Sequence, residues 1–167
     1  MEDATKPSAT GPDPEEKALH RAFQKAYGLG LVLCVCWPLI LQLLLGPLIK
    51  PGQNAPQGVL QQLGYTFTGL TFLAAAFVTW RSLRVRAGFA ALDPSRRPKV
   101  LFREVLLYAA LFELSCFYGI LYWALVGGEA NRYARSFIML TSLMYFFFVP
   151  RWGAWKDALE PAPGTRA

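Results

Sequence analysis

Four stretches of this chain, at about residues 27–49, 59–80, 100–126 and 133–149, are runs of apolar side chains separated by Pro-, Gly- and Arg-containing gaps. A helix needs about 17–25 mostly apolar residues to cross the hydrocarbon core of a bilayer. Within lipid the backbone has to satisfy its own polar groups, so runs of this length are read as helices. The expected fold is therefore all-α: an integral membrane protein with four transmembrane helices. Composition agrees, with 54% hydrophobic and 17% charged residues, against roughly 45–50% and about 25% in soluble domains. This excludes a disordered chain, a disulfide-stapled secreted module and a conventional nucleic-acid binder. No nucleic acid is expected as a partner despite the net charge of +6.

The basic residues set the orientation. Lys17, Arg21, Lys25, Arg81, Arg84, Arg86, Arg96, Arg97, Lys99, Arg103, Arg151 and Lys156 collect on one side of the spans, twelve in all, against Lys50, Arg132 and Arg135 on the other. Cytoplasmic loops carry the excess of Lys and Arg, so both termini and the central loop are expected inside, in a bacterial inner membrane. Residues 1–16, polar and rich in Pro, Ala, Asp and Glu, read as a disordered tail. Residues 17–156 then form the four-helix domain and residues 157–167 a flexible tail. Leu19, Ala22, Phe23 and Ala26 share one helical face, so the segment before the first span reads as its interfacial lead-in.

Local signals add detail. Pro38 should kink the first span, and Gln42 should face another helix. In the second span Gly64, Thr68, Thr71, Ala75 and Thr79 recur every three or four residues, a small-residue stripe suited to close helix packing. The run Arg81–Lys99 is expected to begin as a helix resting on the membrane surface and to attract anionic lipid headgroups. Trp80, Trp123, Trp152 and Trp155 fall near the span ends, as aromatic belts do. Cys34, Cys36 and Cys116 read as small buried hydrophobes, and neither a metal site nor a cofactor is expected. Glu104, beside Arg103, should be solvated at the interface. No catalytic constellation appears, so an enzyme is not expected.

One residue does not fit an inert bundle. Glu113 is the only ionisable side chain deep inside a span. Eight residues past Val105, at about 1.5 Å each, place it roughly 12 Å into the bilayer. A charge there costs at least ~2.5–3.5 kcal/mol, and no Lys or Arg lies at matching depth. The acid is expected to hold its proton at neutral pH unless an ion or a partner's Arg arrives. Thr68, Thr71, Tyr118, Ser142 and Tyr145 are its candidate hydrogen-bond partners. The same burial would serve a proton carrier or a packing element.

The surrounding residues resemble a known pattern. Leu106, Leu107, Ala109, Ala110, Leu111, Glu113, Tyr118, Gly119 and Ile120 are similar to the carboxylate helix of rotary ATP synthase subunit c, the proteolipid family, and Arg96-Arg97-Pro98 resembles its polar loop. The resemblance covers the second and third spans. It implies a helical hairpin in which Glu113 binds an ion and Tyr118 modulates the site. Two functions follow as expectations. In the first, Glu113 binds or translocates a proton or cation, with Tyr118, Thr68 and Ser142 shaping its site. In the second, the chain is a non-catalytic accessory or assembly subunit of a larger membrane complex or homo-oligomer, with Glu113 structural.

Overall fold

A computed structural model describes residues 14–52 and 55–159. Among these residues every named element is helical: α1 (Pro14–Leu31), a π turn (Val32–Cys36), α2 (Trp37–Leu44), α3 (Gln57–Ala87), α4 (Arg97–Val126), a 3-10 turn (Gly128–Ala130), α5 (Asn131–Phe148) and α6 (Trp152–Asp157). The tails expected to be disordered lie largely outside the described residues, but Pro14, Glu15 and Glu16 already belong to α1. Proline is well placed there, because the first helical N–H has no intrahelical acceptor to lose. Glu15 and Glu16 pair with Arg97 at 2.6 Å and Lys156 at 3.1 Å, which ties the start of α1 to α4 and α6.

Contacts fix the directions of the long helices. Glu104 of α4 meets Arg81 of α3, Tyr118 stacks on Phe67, and Tyr122 Oη donates to Leu60 O. Numbers rise on one helix as they fall on the other, so α3 and α4 are antiparallel. The α4–α5 pair is antiparallel by the same test, with Ser115 Oγ donating to Phe137 O and Gly119 lying against Ala134 and Ile138. Cys34 Sγ donates to Ala109 O and Trp123 Nε1 to Ile49 O, so α1–α2 runs parallel to α4. The result is an up-down-up-down bundle with α4 in contact with the other three long segments. Within the most apolar 18-residue window of each, 44% of α4 is buried against 22% in α1–α2 and in α3. The remaining apolar faces, including Leu43, Phe72, Leu73 and Phe147, point outward. Such faces suit lipid.

Three helices are long and apolar enough to cross a membrane: Pro14–Leu44, Gln57–Ala87 and Arg97–Val126. The fourth apolar run forms the helix α5, 18 residues long, but it is not among these three, and Arg132 and Arg135 near its start lower its hydropathy. The first apolar run ends as a helix at Leu44 rather than residue 49. Gly46 turns the chain at φ +97°, a conformation glycine enters freely, and Pro47 disfavours helix in the residue before it. Arg135 then clamps the end of α2: Nη1 donates to Gln42 O and Oε1, and Nη2 donates to Leu45 O. Gln42 Nε2 donates back to Arg135 O at 2.8 Å, so the amide does face another helix. A cation at a helix C-terminus also complements its dipole.

The stripe on α3 splits. Phe67, Thr71, Ala75, Val78 and Ser82 are buried, while Thr68 and Thr79 are exposed. The hydroxyls of Thr66, Thr68, Thr71 and Thr79 each donate to the carbonyl four residues earlier. Helix α3 continues unbroken to Ala87, so the first half of the basic connector is helical as expected but is the end of α3 rather than a separate surface helix. The tryptophans do not form one belt. Trp80 is exposed, but Trp123 and Trp155 are buried, Trp155 edge-on to Phe89, because the loop after α3 folds over α6.

Candidate functional site

The local chemistry around Glu113 begins at Pro38. Proline has no N–H and its ring crowds the carbonyl four residues back, which here is Cys34 O. The helix widens into a π turn over Val32–Cys36, a distortion frequent at functional positions. Ser142 Oγ of α5 donates to the Cys34 carbonyl at 2.7 Å, replacing the donor that proline lacks. The Cys34 thiol in turn donates to Ala109 O of α4 at 3.3 Å. Cys34 therefore joins three helices at the height of Glu113, and Ser142 acts on backbone, one step removed from the acid.

Glu113 lies on the α1-facing flank of α4, half-buried, with Oε2 buried and without a hydrogen-bond partner. Cys116, one turn along, and Cys34 lie within electrostatic reach of it. Among the described residues no Lys, Arg or His forms an ion pair with it. Thr141, buried at 0% exposure, also holds a hydroxyl without a partner.

The other expected site residues do not converge on it. Tyr118 lies five residues further on, about 140° around the helix, where its ring stacks on Phe67 of α3 at 4.8 Å. Thr68 is exposed and donates to Gly64 O at 2.7 Å, facing a cleft between α3 and α5 with Tyr133 and Phe137. Tyr145 Oη donates to Tyr27 O. The neighbours that do surround Glu113 are thiols, which sequence reasoning treated as filler. Pro38, four residues after Cys34, was the signal that could have placed that cysteine at a helix junction.

A second charged cluster was missed. Glu104 is not solvated: its side chain is 1% exposed, and Arg81 grips it through Nε at 2.6 Å and Nη2 at 2.8 Å. Arg103 Nη2 adds a contact at 3.3 Å. Tyr108, one turn further along α4, has a buried hydroxyl beside this carboxylate but outside hydrogen-bond geometry. Nine residues separate Glu104 from Glu113, half a turn in angle, so the two acids occupy opposite faces of α4. Glu104 holds α3; Glu113 pairs with no cation among the described residues.

Among the described residues no group of three or more His, Cys, Asp or Glu could hold a metal ion. Compared with protein families, curated proteins and solved structures, the chain matches none.

Proposed function

We propose that this protein is a four-span membrane protein, proteolipid-like in its α3–α4 hairpin, that binds a proton at Glu113 and passes it between the two sides. Both termini lie in the cytoplasm, by the excess of Lys and Arg at that end, and the membrane is a bacterial inner membrane. The fourth span is α5, whose Arg135 charge is taken up by the end of α2. The observation that carries the reading is the buried Oε2 of Glu113, which has no hydrogen-bond partner, in an acid that pairs with no Lys, Arg or His among the described residues. An acid so placed is stable in lipid with its proton on, and must meet water or a cation to lose it. A proton fits better than a metal ion. Hard cations require several oxygen ligands, whereas the groups beside Glu113 are the soft thiols of Cys34 and Cys116.

A membrane-permeant carbodiimide tests this directly, because it reacts with a protonated carboxyl in an apolar setting. One label per chain is expected at Glu113, lost in Glu113→Gln and declining as pH rises. No labelling, or labelling independent of pH, overturns the reading. In liposomes under an imposed potential, wild-type protein should carry a proton flux that Glu113→Gln reduces by about 100-fold or more, the low end for loss of a general acid–base group.

The unpaired oxygen and the outward apolar faces also favour a second reading, an accessory subunit in which Glu113 receives a partner's Arg. Co-purification with a larger complex that Glu113→Gln disrupts, without proton flux in isolated protein, would select it.

A further inference from the structure

The basic run Arg81–Lys99 is not uniform once folded. Arg81 is held by Glu104. Arg97 donates to Glu15, Leu92 O and Ala90 O. Arg84 lies over the Trp80 ring at 5.5 Å. Arg86 differs: its Nε donates to Ser82 O at 3.2 Å, and its side chain lines a cavity of about 530 Å³. Arg151, from the connector between α5 and α6, lines the same cavity together with Leu83, Phe146, Phe147 and Val149, and no acidic side chain borders it.

Two arginines from separate elements thus line one largely apolar cavity. A second, separate cavity of about 480 Å³ lies further along α3 and α5, lined by Thr68, Phe137, Leu140 and Leu143 among others. Phe147 is 79% exposed and Leu83 58%. This is the shape of a site for an amphiphile with an anionic head. We infer that the arginine-rich end of the α3–α5 cleft binds one anionic phospholipid, its phosphate between Arg86 and Arg151 and its acyl chains along the cleft. The nearer cavity holds the headgroup and the first acyl carbons. A free phosphate would leave the phenylalanines uncovered, and an apolar partner helix would have no use for two arginines on one cavity. The inference rests on the membrane reading but not on Glu113.

Native mass spectrometry of the full chain, released from detergent with phosphatidylglycerol or phosphatidylcholine, tests it. One phosphatidylglycerol per chain should be retained, and no phosphatidylcholine. Loss of a basic contact near an anionic headgroup weakens binding about fivefold. Arg151→Gln, an exposed position, should therefore raise the lipid concentration at half occupancy about fivefold. Arg86→Gln with Arg151→Gln should raise it about 25-fold by the same scale. Arg96→Gln with Lys99→Gln removes the same charge away from the cavity and should leave retention unchanged. Equal loss in both double variants means a diffuse basic surface and overturns the site. Equal retention of phosphatidylcholine, or a dimer in place of a lipid adduct, overturns it as well.

Discussion

Arg81→Leu is expected to destabilise the folded protein by about 3 kcal/mol, and adding Glu104→Leu to recover most of that loss. Removing one partner of a buried ion pair typically costs about 3–5 kcal/mol, because an uncompensated charge remains, whereas replacing both by apolar residues is often neutral. The lower end applies here. Arg81 retains 31% side-chain exposure, and Arg103 still reaches Glu104 at 3.3 Å. The penalty falls on Glu104, which has no route to water at 1% exposure. Reversible unfolding in mixed micelles, with the four proteins of the cycle compared, measures it. A single variant costing under about 1 kcal/mol, the scale of an exposed pair, would show that the bridge is peripheral. A double variant as unstable as the single one would show that packing, not charge, is what Arg81 supplies.

That pair also shows where sequence reasoning stops. Arg81 and Glu104 are 23 residues apart, and both sit at ends of apolar runs where charges are ordinary. Nothing in either run says that the α3–α4 hairpin closes with the two in register. Glu113 was legible for the opposite reason. An acid deep in an apolar run is conspicuous without knowing the fold, and its lack of a cation could be read from the run itself. What surrounds it could not be. Periodicity along α4 separates faces by angle, but only the packing of α1 decides that Cys34, and not Thr68, shares the face of Glu113. The resemblance to a proteolipid helix grouped Tyr118 with Glu113 by proximity in sequence. The helical repeat carries it to the α3 side.

The long helices were legible because an apolar run of membrane length leaves the backbone few alternatives. Their ends were set by local chemistry that the runs conceal. Gly46 and Pro47 stop α2 while leucine and isoleucine continue past it. The basic connector does not stop α3 at Trp80, because arginine is a good helix former and its charge can leave the apolar face for solvent or a headgroup. Pro38 was expected to kink its helix and is accompanied by a π turn. Sequence could not show that Ser142, on a helix more than 100 residues away in the chain, would supply the missing donor.

Gly119→Leu is expected to separate α4 from α5, and even Gly119→Ala to cost about 1–3 kcal/mol, the usual penalty for overpacking. A Cβ on Gly119 would lie 2.6 Å from Ala134 O, 2.6 Å from Ile138 Cγ1 and 3.1 Å from Ile138 N. Two of these atoms are α5 backbone and cannot rotate aside, so α5 itself must move. Doing so strains the Ser115–Phe137 bond at 2.9 Å one turn away and, further along, the Ser142 contact that completes the Cys34 carbonyl. Gly69→Ala on the exposed side of α3 meets nothing within 4 Å and should be neutral or stabilising by up to about 1 kcal/mol, through better helix propensity. Unfolding in mixed micelles compares the two. If Gly119→Ala is as stable as Gly69→Ala, α4 and α5 do not cross at Gly119. The glycine beside Tyr118, shared with the proteolipid pattern, would then need an explanation other than close helix packing.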